Sequence, residues 1–266
     1  MLFAARLALF TLLSTFSALA LAQDAAAAQM QSSLTLDRSL IQIGMFSDGR
    51  LGPLDGKATS KTSYNNFINY CAMRKDLPLT NGLQVESGSC SATPQGFLAP
   101  KAKMPHAKFV FPFNTAVIPA NTTFTVRLAI RNLKTGSFSN PDTNFHSAPQ
   151  ELTQDGEVVG HSHYVIQRIP SMESTTPLDP QDFVHFKGLN FPANDAQELT
   201  DDVEKGLDVG FYRVASVNAA TNHQPVLVSV AQRGSLDDIV YFEVREGVPM
   251  PEPPKTEAPA PPPQRR

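Results

Sequence analysis

The sequence predicts a mainly β protein: an antiparallel β-sandwich of immunoglobulin-like proportions with one or two short helices. Three observations carry that expectation. Apolar residues recur at period two, most cleanly where Phe124, Val126, Leu128 and Ile130 share one face and Thr123, Thr125, Arg127 and Arg131 the other. Further short runs of this kind are separated by turn residues, with few windows of helical period between them. The 266-residue chain has no tryptophan but 17 phenylalanines, which supply the core instead.

The elements follow in order along the chain. Residues 1–22 read as a signal peptide: Arg6 gives the positive start, Leu7 to Leu21 the apolar stretch, and Ala20-Leu21-Ala22 the small-x-small site, with cleavage between Ala22 and Gln23. The stretch is short for a membrane span, and no later segment is long and apolar enough for one. Residues 23–34, rich in Ala and Gln, read as a flexible lead-in. A secreted β-rich domain is expected over 35–246, with a loop-rich first section at 35–107 and the sandwich at 108–246. In the first section Tyr64, Phe67, Ile68 and Cys71 fall at helical spacing behind Ser63, a candidate N-cap, which predicts a short helix.

From Lys108 the period changes to two, with Phe109, Phe111 and Phe113 alternating. Strands are predicted next at Val158–Ile169, Gly210–Val217, Val226–Ala231 and Ile239–Arg245. A second helix is predicted from Asp195 to Lys205, where Asp195 and Glu198 suit a capping box, Leu199 and Val203 share a face, and Gly206 suits the C-terminal stop. Residues 247–266 hold eight prolines and read as a proline-rich disordered tail, a spacer or a ligand for a groove.

Charge and cysteine content narrow the function classes. With Arg6 removed alongside the signal peptide, 21 basic residues face 25 acidic ones, a net charge of −4. That balance gives no electrostatic reason to bind nucleic acid or an anionic membrane. Cys71 and Cys90 are the only cysteines, and in an oxidising compartment a lone pair forms one disulfide. Asn121-Thr122-Thr123 is the single N-glycosylation sequon, just before a strand.

The most unusual local feature is Gly160-His161-Ser162-His163. On a strand, residues two apart face the same side, so both imidazoles can reach one ion, and zinc or copper favours imidazole nitrogen. A site needs a third ligand. The candidates are His223, His146 and His185, with carboxylates at Glu151, Asp155, Asp237 and Asp238. The competing reading is a half-buried pair satisfied by hydrogen bonds. No nucleophile elbow, P-loop, dinucleotide fingerprint, zinc-finger spacing or EF-hand loop is present, nor a singled-out carboxylate pair, so no catalytic set is complete.

Several phrases, read together, carry a resemblance. They are Ser32-Ser33-Leu34-Thr35-Leu36-Asp37, Asn65-Asn66-Phe67-Ile68-Asn69, Lys108-Phe109-Val110-Phe111-Pro112, Gly160-His161-Ser162-His163, Phe186-Lys187-Gly188-Leu189-Asn190, Gly210-Phe211-Tyr212-Arg213, Asn222-His223-Gln224-Pro225 and Gly234-Ser235-Leu236-Asp237-Asp238. In this order they resemble a family of secreted fungal proteins often labelled "ribosomal protein s17", some of which carry an N-terminal cysteine-rich chitin-binding-type module. The resemblance covers roughly residues 32–245 and implies an extracellular fungal protein of no particular activity. The signal peptide and acidic balance are wrong for a ribosomal protein, and the cysteine-rich module is missing, so chitin binding is not carried over. In the family the position near His146 more often carries an aromatic or small residue, which leaves His161, His163 and His223 as the better ligand candidates.

Three functions are expected to compete. The first is a non-enzymatic secreted protein of the fungal surface or cell wall, or of a host interface, with a wall glycan or a host surface protein as partner. The second is an extracellular metal-binding protein or metalloenzyme using His161 and His163, with zinc or copper. The third is a host-directed effector.

Overall fold

The structure is a computed structural model and describes residues 25–47, 62–73, 75–87, 89–142, 144–146 and 148–253. The expected signal peptide with its Ala22/Gln23 cleavage site, and the expected tail from residue 254 onward, lie outside the described residues. The chain divides into two units, Met1–Met73 and Arg74–Arg266.

In the first unit residues 25–32 form a helix, within the stretch expected to be a flexible lead-in. Its alanines have the highest helix propensity of any residue, which composition-based reading as a linker overlooks. Short 3-10 turns follow at Arg38–Leu40, Ile43–Met45 and Tyr70–Met73. The helix expected from Tyr64 does not form, because Asn66 and Phe67 have φ of 52° and 59°, left-handed values that interrupt an α-helix. Ser63 still caps, but it caps a turn: its Oγ accepts from the N–H groups of Asn65 and Phe67. Cys71 and Cys90 are both disulfide-bonded, and no free cysteine remains.

Among its described residues the second unit holds nine strands: β1 (His106–Phe111), β2 (Val117–Pro119), β3 (Phe124–Arg131), β4 (Leu133–Lys134), β5 (Val158–Ile169), β6 (His185–Leu189), β7 (Glu198–Val203), β8 (Gly210–Ala220) and β9 (Ile239–Arg245). Three of them form a small antiparallel sheet in the order β1-β3-β7. The other six form a curled sheet in the order β2-β9-β8-β5-β4, with β6 also paired to β5.

The protein is therefore mainly β, but its sheets are not the all-antiparallel pair of an immunoglobulin-like sandwich. β2 runs parallel to β9, and β4 runs parallel to β5. Periodicity fixes which residues share a face but carries no information on strand direction, so the mixed character had no sequence signal.

Two further expectations change. The segment predicted as a helix from Asp195 is strand β7, paired with β3 from Phe124↔Val203 to Ala129↔Glu198. Leu199 and Val203 are four apart, an even number that puts them on one face of a strand as readily as of a helix. The run Val226–Ala231 is not a strand. It is held by Gln150 instead, whose buried amide donates to Leu227 O at 2.9 Å and accepts from Leu227 N at 2.9 Å, standing in for a neighbouring backbone.

The core lies on one face of β5, β8 and β9 and on the facing side of the small sheet. Tyr164, Ile166, Tyr212, Val214, Val240, Phe242 and Val244 join Phe109, Phe124, Val126, Leu128 and Leu199 in one cluster. A polar tie reinforces it: Tyr164 Oη donates to Asp201 Oδ2 at 2.7 Å, and Lys187 Nζ sits 2.8 Å from Asp201 Oδ1. β5 and β6 are thereby fastened to β7. Burial first, and then the Asp201 carboxylate, hold the Tyr164 phenol above its usual range.

Gly160 forms the first pair of the ladder between β5 and β8. A Cβ there would run into the carbonyl oxygen of Ala219, so any side chain would push the two strands apart. Gly160→Ala is expected to lower unfolding stability by about 1–3 kcal/mol in a urea titration. Gly234→Ala, where nothing lies within 4 Å of the added carbon, should stay within about 0.5 kcal/mol of the parent.

Candidate metal centre

The two faces of β5 do different work. Val158, Gly160, Ser162, Tyr164 and Ile166 are buried on the core side, and the alternate residues His161 and His163 project from the opposite face. Their cross-strand neighbours are short. Ala219 of β8 is opposite His161, Gly188 of β6 is opposite His163 on one side, and Val217 of β8 is opposite it on the other. This leaves room for two imidazoles to lean together.

His223 arrives from the turn that follows β8. Ala220 N donates to Gln224 O, His223 N donates to Ala220 O, and Ala219 bridges to Pro225, so the chain folds back over the end of the strand. His223 sits in this turn with φ of 71°, a left-handed value that histidine adopts more readily than most side chains.

The three imidazoles converge. One ring nitrogen from each of His161, His163 and His223 lies within 4.8 Å of the others. His161 Nε2 and His163 Nε2 are 3.0 Å apart. The ring centroid of His223 is 4.9 Å from that of His161 and 6.3 Å from that of His163. No Asp, Glu or Cys joins the group among the described residues.

Backbone carbonyls of one loop fix the tautomers. His161 Nδ1 lies 3.1 Å from Ser137 O and His223 Nε2 lies 2.8 Å from Ser139 O. A carbonyl only accepts, so each of these nitrogens carries the proton and the other nitrogen of each ring carries the lone pair. Metal-ligating histidines are oriented in just this way by an outer partner. Phenylalanines wall the group: Phe138 is 4.9 Å from both His161 and His223, Phe145 is 5.8 Å from His223, and Phe186 is 5.4 Å from His163.

The other candidates from the sequence lie elsewhere. His146 stacks on Phe145 and donates through Nε2 to His223 O at 3.3 Å, so it supports the turn. His185 sits with the core-side tie, where its Nε2 donates to Tyr164 Oη at 2.8 Å. Asp237 accepts from Asn218 N, Asp238 pairs with Lys108 and accepts from Phe109 N, and Glu151 and Asp155 are exposed. Asn121 is exposed at a turn with φ of 51°. The Ser137 and Ser139 carbonyls and the phenylalanine wall were not anticipated. A backbone carbonyl leaves no mark in a sequence, and seventeen phenylalanines do not announce which of them meet a histidine.

A family model described as the CLU5d N-terminal domain matches residues 107–245, a span holding nearly all of β1 to β9 and all three histidines. The chain is also similar to "Pathogenicity cluster 5 protein d" of the fungus Colletotrichum graminicola, at 38% identity over 193 residues. The match covers 72% of this chain and 40% of the relative, so the chain spans well under half of that protein's length.

Burial dominates the electrostatics of the pair. It drives His161 down to about 4, helped by the neighbouring His163 and His223, and drives His163 down to about 4, helped by His223. Both rings are therefore neutral at pH 7. Their folded values lie below the ordinary 6.5, so the unfolded chain takes up more protons between the two. Stability of the metal-free protein is expected to be full above pH 6.5 and to decline as pH falls from 6.5 toward 4, read from urea midpoints across that window. A His161→Gln, His163→Gln double variant should show a visibly shallower decline.

Proposed function

The chain belongs to the CLU5d N-terminal domain family, and on that premise we propose that it is a transition-metal-binding protein, holding zinc or copper on the imidazoles of His161, His163 and His223. One observation carries the reading: three imidazoles meet within a wall of phenylalanines on the outer face of the sheet, and two of them are aimed by carbonyls of a single loop. Burying polar rings together is unfavourable unless they are satisfied. Here two facing nitrogens, His161 Nε2 and His163 Nε2, lie 3.0 Å apart, and His163 Nε2–H can donate to the His161 lone pair. With the His163 proton on Nδ1 instead, both Nε2 lone pairs point at one place, and an ion accepts them together. Zinc and copper suit an all-imidazole donor set, whereas calcium and magnesium call for oxygen ligands.

The disulfide and the expected signal peptide support an extracellular setting. No helix among the described residues is long and apolar enough to cross a membrane. The relative's name supports a second element of the proposal, that the protein acts where a fungus meets its host, as an effector or at the fungal surface. A wall glycan or a host surface protein is the accompanying partner.

Untagged protein purified from secreted medium should carry close to one equivalent of zinc or copper by elemental analysis. The His161→Ala, His163→Ala variant should carry none while keeping its circular dichroism. Added metal at about a hundred times its Kd should stabilise the parent by about 2.7 kcal/mol and leave the variant unmoved. A metal-free parent, or a variant that binds as the parent does, overturns the reading.

Biology tests the second element separately. A fungal strain lacking the gene should infect less well, and the double-histidine variant should not restore it. Full infectivity of the deletion strain removes the host-interface role without touching metal binding.

A further inference from the structure

We infer that the centre takes an exogenous carboxylate with an apolar or aromatic body as its fourth ligand, an inference that rests on the metal reading above. Three imidazoles fill three positions of a tetrahedral site, and such sites keep the fourth for a water or an incoming ligand. The donor set is also electrically incomplete. Among the described residues no carboxylate or thiolate joins the three histidines, so a bound dication keeps its full charge. The surroundings, Phe138, Phe145 and Phe186, do nothing to offset it. An uncompensated charge beside apolar side chains draws an anion.

The shape of the rim says what kind of anion. His161 is fully buried, while His163 and His223 are only partly so, which puts the open side of the centre toward those two. Two of the phenylalanines that touch the ligand rings are themselves exposed there, Phe138 at 37% and Phe186 at 54%. Phe183, 48% exposed, extends the patch with its ring 6.2 Å from Phe186, and Val217 borders His163 across the strand pair. A cluster of exposed aromatic side chains at the mouth of a site marks a place where apolar surface is covered by a ligand. The carboxylate would complete the ion's coordination and the body would lie against Phe186 and Phe138.

The test uses the full secreted chain loaded with cobalt(II), whose visible absorption reports coordination. Phenylacetate and acetate are titrated in parallel. Phenylacetate is expected to shift the cobalt bands saturably at about tenfold lower concentration than acetate, the difference reflecting the ring's burial. Phe186→Ala, which alters an exposed side chain, should keep cobalt stoichiometry and lose that preference, and Phe138→Ala should do the same. Bands that respond to neither anion, that respond equally to both, or that keep the preference in both variants overturn the inference while leaving the metal reading standing. A protein that takes up no cobalt, zinc or copper overturns both.

Discussion

The pairing of β5 with β8 is the constraint on which the rest of the second unit depends. Ten residue pairs run without a break from Gly160↔Ala220 to Ile169↔Phe211. This ladder sits at the middle of the six-stranded sheet, with β9 and β2 added on one side and β4 and β6 on the other. Because side chains alternate along it, one strand pair decides two environments together. Tyr164, Ile166, Tyr212 and Val214 go into the core, and His161 and His163 go to the opposite face. A slip of one residue would exchange the two sets, placing imidazoles in the core and Tyr164 outside. The closeness of Gly160 to Ala219, and the tie from Tyr164 to Asp201, both hold that register.

The centre is assembled from groups that the ladder positions unequally. His161 and His163 are placed by the strand itself. His223 depends on a turn that closes only because Ala219 and Ala220 pair with Pro225 and Gln224. The Ser137–Ser139 loop is tied to the same sheet through Ser137 N to Gly160 O and Ser139 N to Thr221 O. The loop that aims the imidazoles is therefore fastened to the two segments that carry them. Such mutual support is what a preorganised site requires, since an ion finds its ligands already in place. The second polar group, Tyr164 with His185, Lys187 and Asp201, lies on the core side and has a different part: it joins the sheets.

Much of this was legible in the sequence, and the limits have physical causes. β5 and β9 have the bounds that alternation indicates, because a strand with one buried face writes its period plainly. The His161–His163 pair followed from the same period, and His223 stood among the candidates for a third ligand. The family resemblance had set His146 aside in favour of His223; what separates His223 from His185 in the structure is position in space, which a turn and an edge strand determine and residue spacing does not. The misread helix at Asp195 shows the ambiguity of an apolar pair four apart. The one at Tyr64 shows that helical spacing does not exclude left-handed residues such as Asn66 and Phe67. Parallel pairing of β2 with β9 and β4 with β5 left no trace, and neither did Gln150, a side chain that replaces a strand.

The turn that carries His223 has one more consequence. His161 and His223 are 62 positions apart in the chain, and the intervening segment includes all of β6, β7 and β8. An ion held by both would act as a removable staple across that span. Unlike a covalent cross-link it would leave the unfolded chain unrestrained, and would stabilise the folded sheet only by the free energy with which the ion binds it. The staple could be set only after the sheet had formed, and a chelator would withdraw it without breaking a bond. The protein would then be sturdier or looser according to the metal supply around it.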